Sequence, residues 1–153
     1  MKTIASFTVN HDKLQKGIYI SRKDGDVITY DIRMKKPNGG EYLSNGAIHT
    51  IEHLFATYVR NGAFSDSVIY VGPMGCRTGF YFILRDNVSY AEVISLTKEI
   101  FAFIANFEGV IPGTSRIECG NYLEHDLKGA KKEAKEMSKV LSDWTEEQMH
   151  YEN

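Results

Sequence analysis

Apolar and polar residues alternate along 26–34, with Ile28, Tyr30, Ile32 and Met34 on one side and Val27, Thr29, Asp31 and Arg33 on the other. That period of two predicts a strand with one face in a core. Shorter β-leaning runs at 3–9 and 16–22 predict two more strands, and Asp24-Gly25 is a suitable two-residue hairpin turn before the third. Residues 36–46 carry Pro37, Gly39, Gly40 and Asn45-Gly46, and read as a loop. The period then lengthens. Ile48, Ile51, Phe55 and Val59 form a helical stripe that predicts a helix from about Ala47 to Asn61, stopped by Gly62.

Strands are predicted at 67–72 and 79–84, on either side of the tight segment Gly72-Pro73-Met74-Gly75-Cys76. Ser89 with Glu92 three residues on is a capping box for a second helix, whose buried side is marked by Val93, Ile100, Ile104 and Phe107 and which Gly109 ends. After a loop through Pro112 and Gly113, a charged third helix is expected at roughly 126–142. Strands joined by hairpin-type links, followed by helices, predict an α+β fold: two layers, a mostly antiparallel sheet packed against helices. The 153 residues suit one domain, 1–153, with a core that needs no disulfides.

Composition narrows the function classes. The apolar share is 42%, the charged share 25% and the formal net charge −2. These values give no basic face for nucleic acid, and the Lys-rich run 128–139 has interleaved acids that make it a solvated helix face. No apolar run reaches the length of a membrane span, and Met1–Asn10 lacks the apolar core of a secretory signal. A cytoplasmic location is the expectation. In that reducing setting Cys76 and Cys119 are expected to be free, metal-binding or catalytic.

The chemistry-bearing motif is His49-Thr50-Ile51-Glu52-His53, or H-x-x-E-H. On a helix, residues four apart project from one face about a turn apart, so both imidazoles can reach one ion. Glu52 stands on the same face beside that ion, where a carboxylate can exchange protons with bound water or substrate. The plain alternative is two ordinary histidines on a half-buried helix. A catalytic ion commonly has three protein ligands and an open position. Cys76, Cys119, His11, His125 and His150 are candidates for the third ligand, and spacing alone does not choose between the two cysteines.

Several segments together resemble the LuxS family of S-ribosylhomocysteine lyases. Ala5-Ser6-Phe7 with Asn10-His11, Asp31-Ile32-Arg33 with Pro37-Asn38, and His49-Thr50-Ile51-Glu52-His53-Leu54 match its segments in order. So do Pro73-Met74-Gly75-Cys76-Arg77-Thr78-Gly79, and Cys119-Gly120 with His125-Asp126-Leu127 and Gly129-Ala130. The resemblance implies a LuxS/metallopeptidase-like α+β fold and a cytoplasmic homodimer with sites at the subunit interface. It implies one divalent ion per subunit on His49, His53 and Cys119, iron(II) in the native state, with zinc or cobalt also accepted. It further implies that Cys76 and Glu52 transfer protons, and that Ser6, His11 and Arg33 line the substrate pocket.

The implied reaction is carbon–sulfur cleavage. S-ribosylhomocysteine would yield homocysteine and 4,5-dihydroxy-2,3-pentanedione, the precursor of autoinducer-2, which joins the methionine cycle to quorum sensing. A sugar carbonyl migrates from C1 to C3, the C4 proton becomes acidic, and the thiol leaves from C5 by β-elimination. An electrophile at oxygen and a base at carbon are needed at each stage. The chain departs from the family pattern at two places: Tyr70 stands where an Asp is frequent, and Gly72 where a Ser is common.

Two other classes compete. H-x-x-E-H also marks inverted zinc peptidases, whose third ligand is a downstream Glu such as Glu118 or Glu124 could supply. A non-catalytic metal module would close its ion with a fourth protein ligand.

Overall fold

The computed structural model describes residues 1–152. Among these the strands are β1 (Gly17–Asp24), β2 (Val27–Arg33), β3 (Val68–Pro73) and β4 (Gly79–Arg85). They form one antiparallel sheet in the order β1-β2-β4-β3. The helices are α1 (Asn45–Arg60), α2 (Tyr90–Ala105) and α3 (Leu127–Leu141). The α+β class and the mostly antiparallel sheet are as the hydrophobic pattern requires.

In β2 the alternation works as written. Ile28, Tyr30 and Ile32 pair with Leu84, Phe82 and Phe80 of β4, and all six are buried on the helix-covered face. Phe55 of α1 meets Phe82 edge-on at 5.0 Å and Phe101 of α2 at 6.1 Å, locking the helices to the sheet. The α1 stripe Ile48, Ile51, Phe55 and Val59 is buried, leaving the opposite side of the helix for chemistry. Ser44 caps α1 by accepting from the amide of Ala47 at 3.2 Å. Both halves of the Ser89–Glu92 capping box are present on α2. α3 buries Ala130, Ala134, Met137 and Leu141 against the other helices and turns Lys128, Lys132, Lys135 and Lys139 to solvent.

Two expectations are corrected. Residues 3–9 form no strand. They run as an exposed segment with a short 3-10 turn at Ala5–Phe7, closed by Phe7 and Thr8 amides on the carbonyls of Ile4 and Ala5. Ile4 and Phe7 are 53% and 75% exposed, so the apolar residues of this run have no core of their own chain to enter. The β1–β2 turn is Gly25-Asp26, one residue later than the pattern indicated, because Asp24 pairs with Val27. Gly25 takes the left-handed φ of +61° that a tight hairpin demands. Among the described residues, no helix is long and apolar enough to cross a membrane.

Candidate metal and proton-transfer site

α1 holds His49 and His53 one turn apart, with ring centroids 4.7 Å from each other. The third element is the loop after α2. Ser115 accepts from the amides of Glu118 and Cys119, and the Glu118 carboxylate accepts from the Ser115 amide and hydroxyl at 3.1 and 2.6 Å. This turn lifts Cys119 to α1, with Sγ 3.3 Å from His49 Nε2 and 4.0 Å from His53 Nε2.

The far nitrogen of each ring fixes its tautomer. His49 Nδ1 lies 2.8 Å from the Glu124 carbonyl, and His53 Nδ1 lies 2.8 Å from the Pro112 carbonyl. A carbonyl only accepts, so Nδ1 carries the proton and Nε2 turns a lone pair toward the sulfur, as a metal-binding histidine requires. Gly113, at φ +72°, lets the loop pass close to His53; a Cβ there would stand 3.2 Å from Nδ1.

His125 joins the group. The donor atoms of His49, His53, Cys119 and His125 all lie within 4.8 Å of one another. The His125 ring stacks on His49 at 3.8 Å and 24°, and its Nδ1 sits 3.1 Å from the Thr50 hydroxyl, which also accepts from the Asp126 amide. Burial first, and then proximity to the His49 and His53 imidazoles, hold the His125 imidazole below its ordinary pKa. Its Nε2 is buried with no hydrogen-bond partner. Three imidazoles and a thiol around one point, one with an orphaned nitrogen, fit a borderline divalent cation. The cluster could therefore hold a metal ion.

Glu52 is part-buried and borders a cavity of about 310 Å³ with His53, Ala56, Thr57, Pro112 and Gly113. Cys76 is exposed in the β3–β4 turn, where Arg77 adopts a left-handed φ of +59°. Its Sγ lies 3.1 Å from the Thr78 hydroxyl and 4.0 Å from Arg33 Nη1. Arg33 is gripped by Asp31 through Nε at 3.1 Å and Nη2 at 2.6 Å, and donates from Nη1 to Thr78 Oγ1 at 2.7 Å. Burial works against the charge on Arg33, but the hydrogen bond and charge of Asp31 outweigh it and raise the guanidinium pKa.

Other expected site residues stand apart. No hydrogen bond among the described residues joins Ser6 or His11 to this cluster or to Cys76; His11 Nδ1 bonds the Val9 carbonyl at 2.9 Å. His11 and His150 lie outside the four-donor group. Glu118 is tied to Ser115 and Glu124 to Asn121, so neither carboxylate enters it. Tyr70 and Gly72 are one local feature, since the Tyr70 ring occupies the space a Cβ at position 72 would need. Pattern reading passed over Asp31 and Thr78, which hold Arg33, and Tyr151, whose hydroxyl donates to Asp31 Oδ2 at 2.7 Å. The D-x-R spacing on a strand was a usable signal, because residues two apart share a face.

A family model described as S-ribosylhomocysteinase (LuxS) matches residues 4–148. A protein of Phocaeicola vulgatus named S-ribosylhomocysteine lyase is 49% identical over 157 residues, covering 99% of this chain and 98% of its own. Proteins of the same name from Clostridium acetobutylicum and Porphyromonas gingivalis are 46% and 48% identical, each over 99% of both chains.

Proposed function

The chain belongs to the S-ribosylhomocysteinase (LuxS) family and is a carbon–sulfur lyase that splits S-ribosylhomocysteine into homocysteine and 4,5-dihydroxy-2,3-pentanedione, and on that premise we propose how its residues share the work. His49, His53 and Cys119 would hold one divalent ion, iron(II) in the cell and replaceable by zinc or cobalt. The observation that carries this reading is the convergence of two fixed Nε2 lone pairs on the Cys119 sulfur.

Ring geometry supports three protein ligands rather than four. Imidazoles sharing a tetrahedral ion stand with centroids about 5 Å apart. The His49–His53 pair at 4.7 Å and the His53–His125 pair at 4.8 Å both meet that spacing, whereas the His49–His125 stack at 3.8 Å leaves room for only one of those two rings. We assign that place to His49, whose Nε2 lies 3.3 Å from the Cys119 sulfur. His125 then orients His49, and an ion held by the other three would keep a position for substrate. When bound, the ion supplies an electrophile that polarises the sugar carbonyl as it migrates.

Cys76 takes and returns protons at the sugar carbons. Its sulfur is open to solvent on one side and faces the Thr78 hydroxyl and the Arg33 guanidinium on the other, which suits a group that alternates between thiol and thiolate. Glu52 moves protons among the sugar oxygens and takes the C4 proton before the thiol leaves from C5. Its place next to His53 in an open cavity supports that role.

Ser6 and His11 bind substrate from the partner subunit of a homodimer whose sites lie at the interface. The N-terminal segment carries exposed Ile4 and Phe7, and the Cys119 loop carries Ile117 and Leu123 at 92% and 80% exposure. Apolar residues on both segments favour a second copy covering them. The enzyme works as a single catalytic domain in the cytoplasm, its product feeding autoinducer synthesis.

The test is incubation of reduced, iron-loaded protein with S-ribosylhomocysteine while thiol release is followed. Parent protein is expected to release homocysteine and Cys76→Ala nearly none. Equal release by both would sink the assignment of Cys76.

A further inference from the structure

The face of β2 turned away from the helices carries Asp31 and Arg33, yet these are only 1% and 3% exposed. The C-terminal segment covers them. Trp144 lies against Gly17, where a Cβ would overlap the indole ring, and its Nε1 donates to the Ile18 carbonyl at 3.2 Å. Tyr19 stacks on Tyr151 at 5.2 Å, and the Tyr151 hydroxyl donates to Asp31 Oδ2 at 2.7 Å.

A continuous run of hydrogen bonds leads from that hydroxyl to the Cys76 sulfur. Asp31 Oδ2 receives both Tyr151 and Arg33 Nη2, while Oδ1 receives Arg33 Nε. A guanidinium is a rigid planar fork, so fixing Nε and Nη2 fixes the direction of Nη1. Nη1 points at Thr78 Oγ1 and beyond it at Sγ. Thr78 Oγ1 accepts from Arg33 and stands 3.1 Å from the sulfur, so its own proton can be given to a Cys76 thiolate.

We propose that Tyr151 and Asp31 are positioning residues for the lyase reaction, the docked C-terminal segment aiming Arg33 and Thr78 at Cys76. The proposal rests on the reading of Cys76 as the proton-transfer group. Burial, and then the charge and hydrogen bond of Asp31, push the Tyr151 phenol well above its ordinary pKa, so it remains a donor at any working pH. Without the phenol, the carboxylate keeps its two bonds to Arg33 but loses the outside anchor that sets their common angle, and the pair shifts together relative to the sulfur.

The experiment uses full-length zinc-loaded protein. It measures the rate at which iodoacetamide alkylates Cys76, read by peptide mass, together with kcat and KM for thiol release. Tyr151→Phe is expected to lower both the alkylation rate and kcat about tenfold, the worth of one hydrogen bond to a charged group, with KM within about twofold. Thr78→Val is expected to repeat that signature. Trp144→Phe removes the indole bond to the Ile18 carbonyl but keeps an aromatic ring against Gly17 and leaves Tyr151 on Asp31, so it is expected to lower thermal stability while alkylation stays near the parent rate. Parental alkylation and kcat in Tyr151→Phe would overturn the proposal, as would an equal loss in Trp144→Phe. A Cys76→Ala protein that still released thiol would remove the underlying reading of Cys76. An inactive Cys76→Ala beside an unchanged Tyr151→Phe would remove only the positioning role.

Discussion

Replacing Asp31 by Ala strands a buried cation, and the size of that penalty follows from the structure. The Arg33 side chain is 4% exposed and that of Asp31 1%, so neither water nor another carboxylate can take over the pairing. Breaking a buried pair by removing one partner costs about 3–5 kcal/mol. The Tyr151 hydroxyl loses its acceptor as well, which adds about 1 kcal/mol. Against a total stability of about 5–15 kcal/mol, the variant should be only marginally folded. With a urea slope of about 2 kcal/mol/M, the midpoint should fall by about 2 M. The comparison belongs at fixed protein and metal concentration, because binding equilibria shift apparent stability. The double variant Asp31→Leu/Arg33→Met should recover most of the loss, since a well-packed apolar pair replaces a buried ion pair at little net cost. A single variant within about 1 kcal/mol of the parent, or a double variant no more stable than the single one, would refute the reasoning.

Further outcomes follow from the same contacts. Metal analysis of purified variants should find one ion per chain in the parent and in His125→Phe, and a large deficit in His49→Ala, His53→Ala and Cys119→Ser. Ser89→Ala removes the α2 cap and should lower stability by about 1 kcal/mol in thermal unfolding. Above pH 10 the unfolded chain gives up the Tyr151 proton while the folded chain keeps it, so the native state binds more protons and stability falls as pH rises. Alkaline urea titrations should therefore show a slope shallower by about 1.4 kcal/mol per pH unit in Tyr151→Phe. Gly17→Ala drives a methyl group into Trp144 and should cost about 1–3 kcal/mol, with the largest gain in amide exchange in the C-terminal segment.

The sequence pattern made some of this plain and hid the rest for physical reasons. α1 could be read because burial on one face leaves a helical stripe, and the same stripe put His49 and His53 on the free side. The run 3–9 looked like a strand because Thr3, Ile4, Phe7, Thr8 and Val9 favour extended backbone, but a strand needs a neighbour to pair with and among the described residues this one has none. The proximity of Cys119 to the two imidazoles was not in its spacing. It depends on the Ser115–Glu118 turn, a local bond network that ends 70 residues from His49. The contact of His125 with His49 is of the same kind, set by Thr50 and the start of α3. Tyr151 carried no signal at all. Its partner lies 120 residues away, and nothing in a terminal tyrosine says that it closes over a buried charge pair.

The central claim is an ion on His49, His53 and Cys119 with one position open to the substrate. It is tested most directly by the absorption spectrum of the cobalt-substituted protein. The account predicts a sulfur-to-cobalt charge-transfer band that disappears in Cys119→Ser, and ligand-field bands that shift when S-ribosylhomocysteine is added to the parent. A charge-transfer band that survives in Cys119→Ser, or a parent spectrum that saturating substrate leaves unchanged, would contradict it.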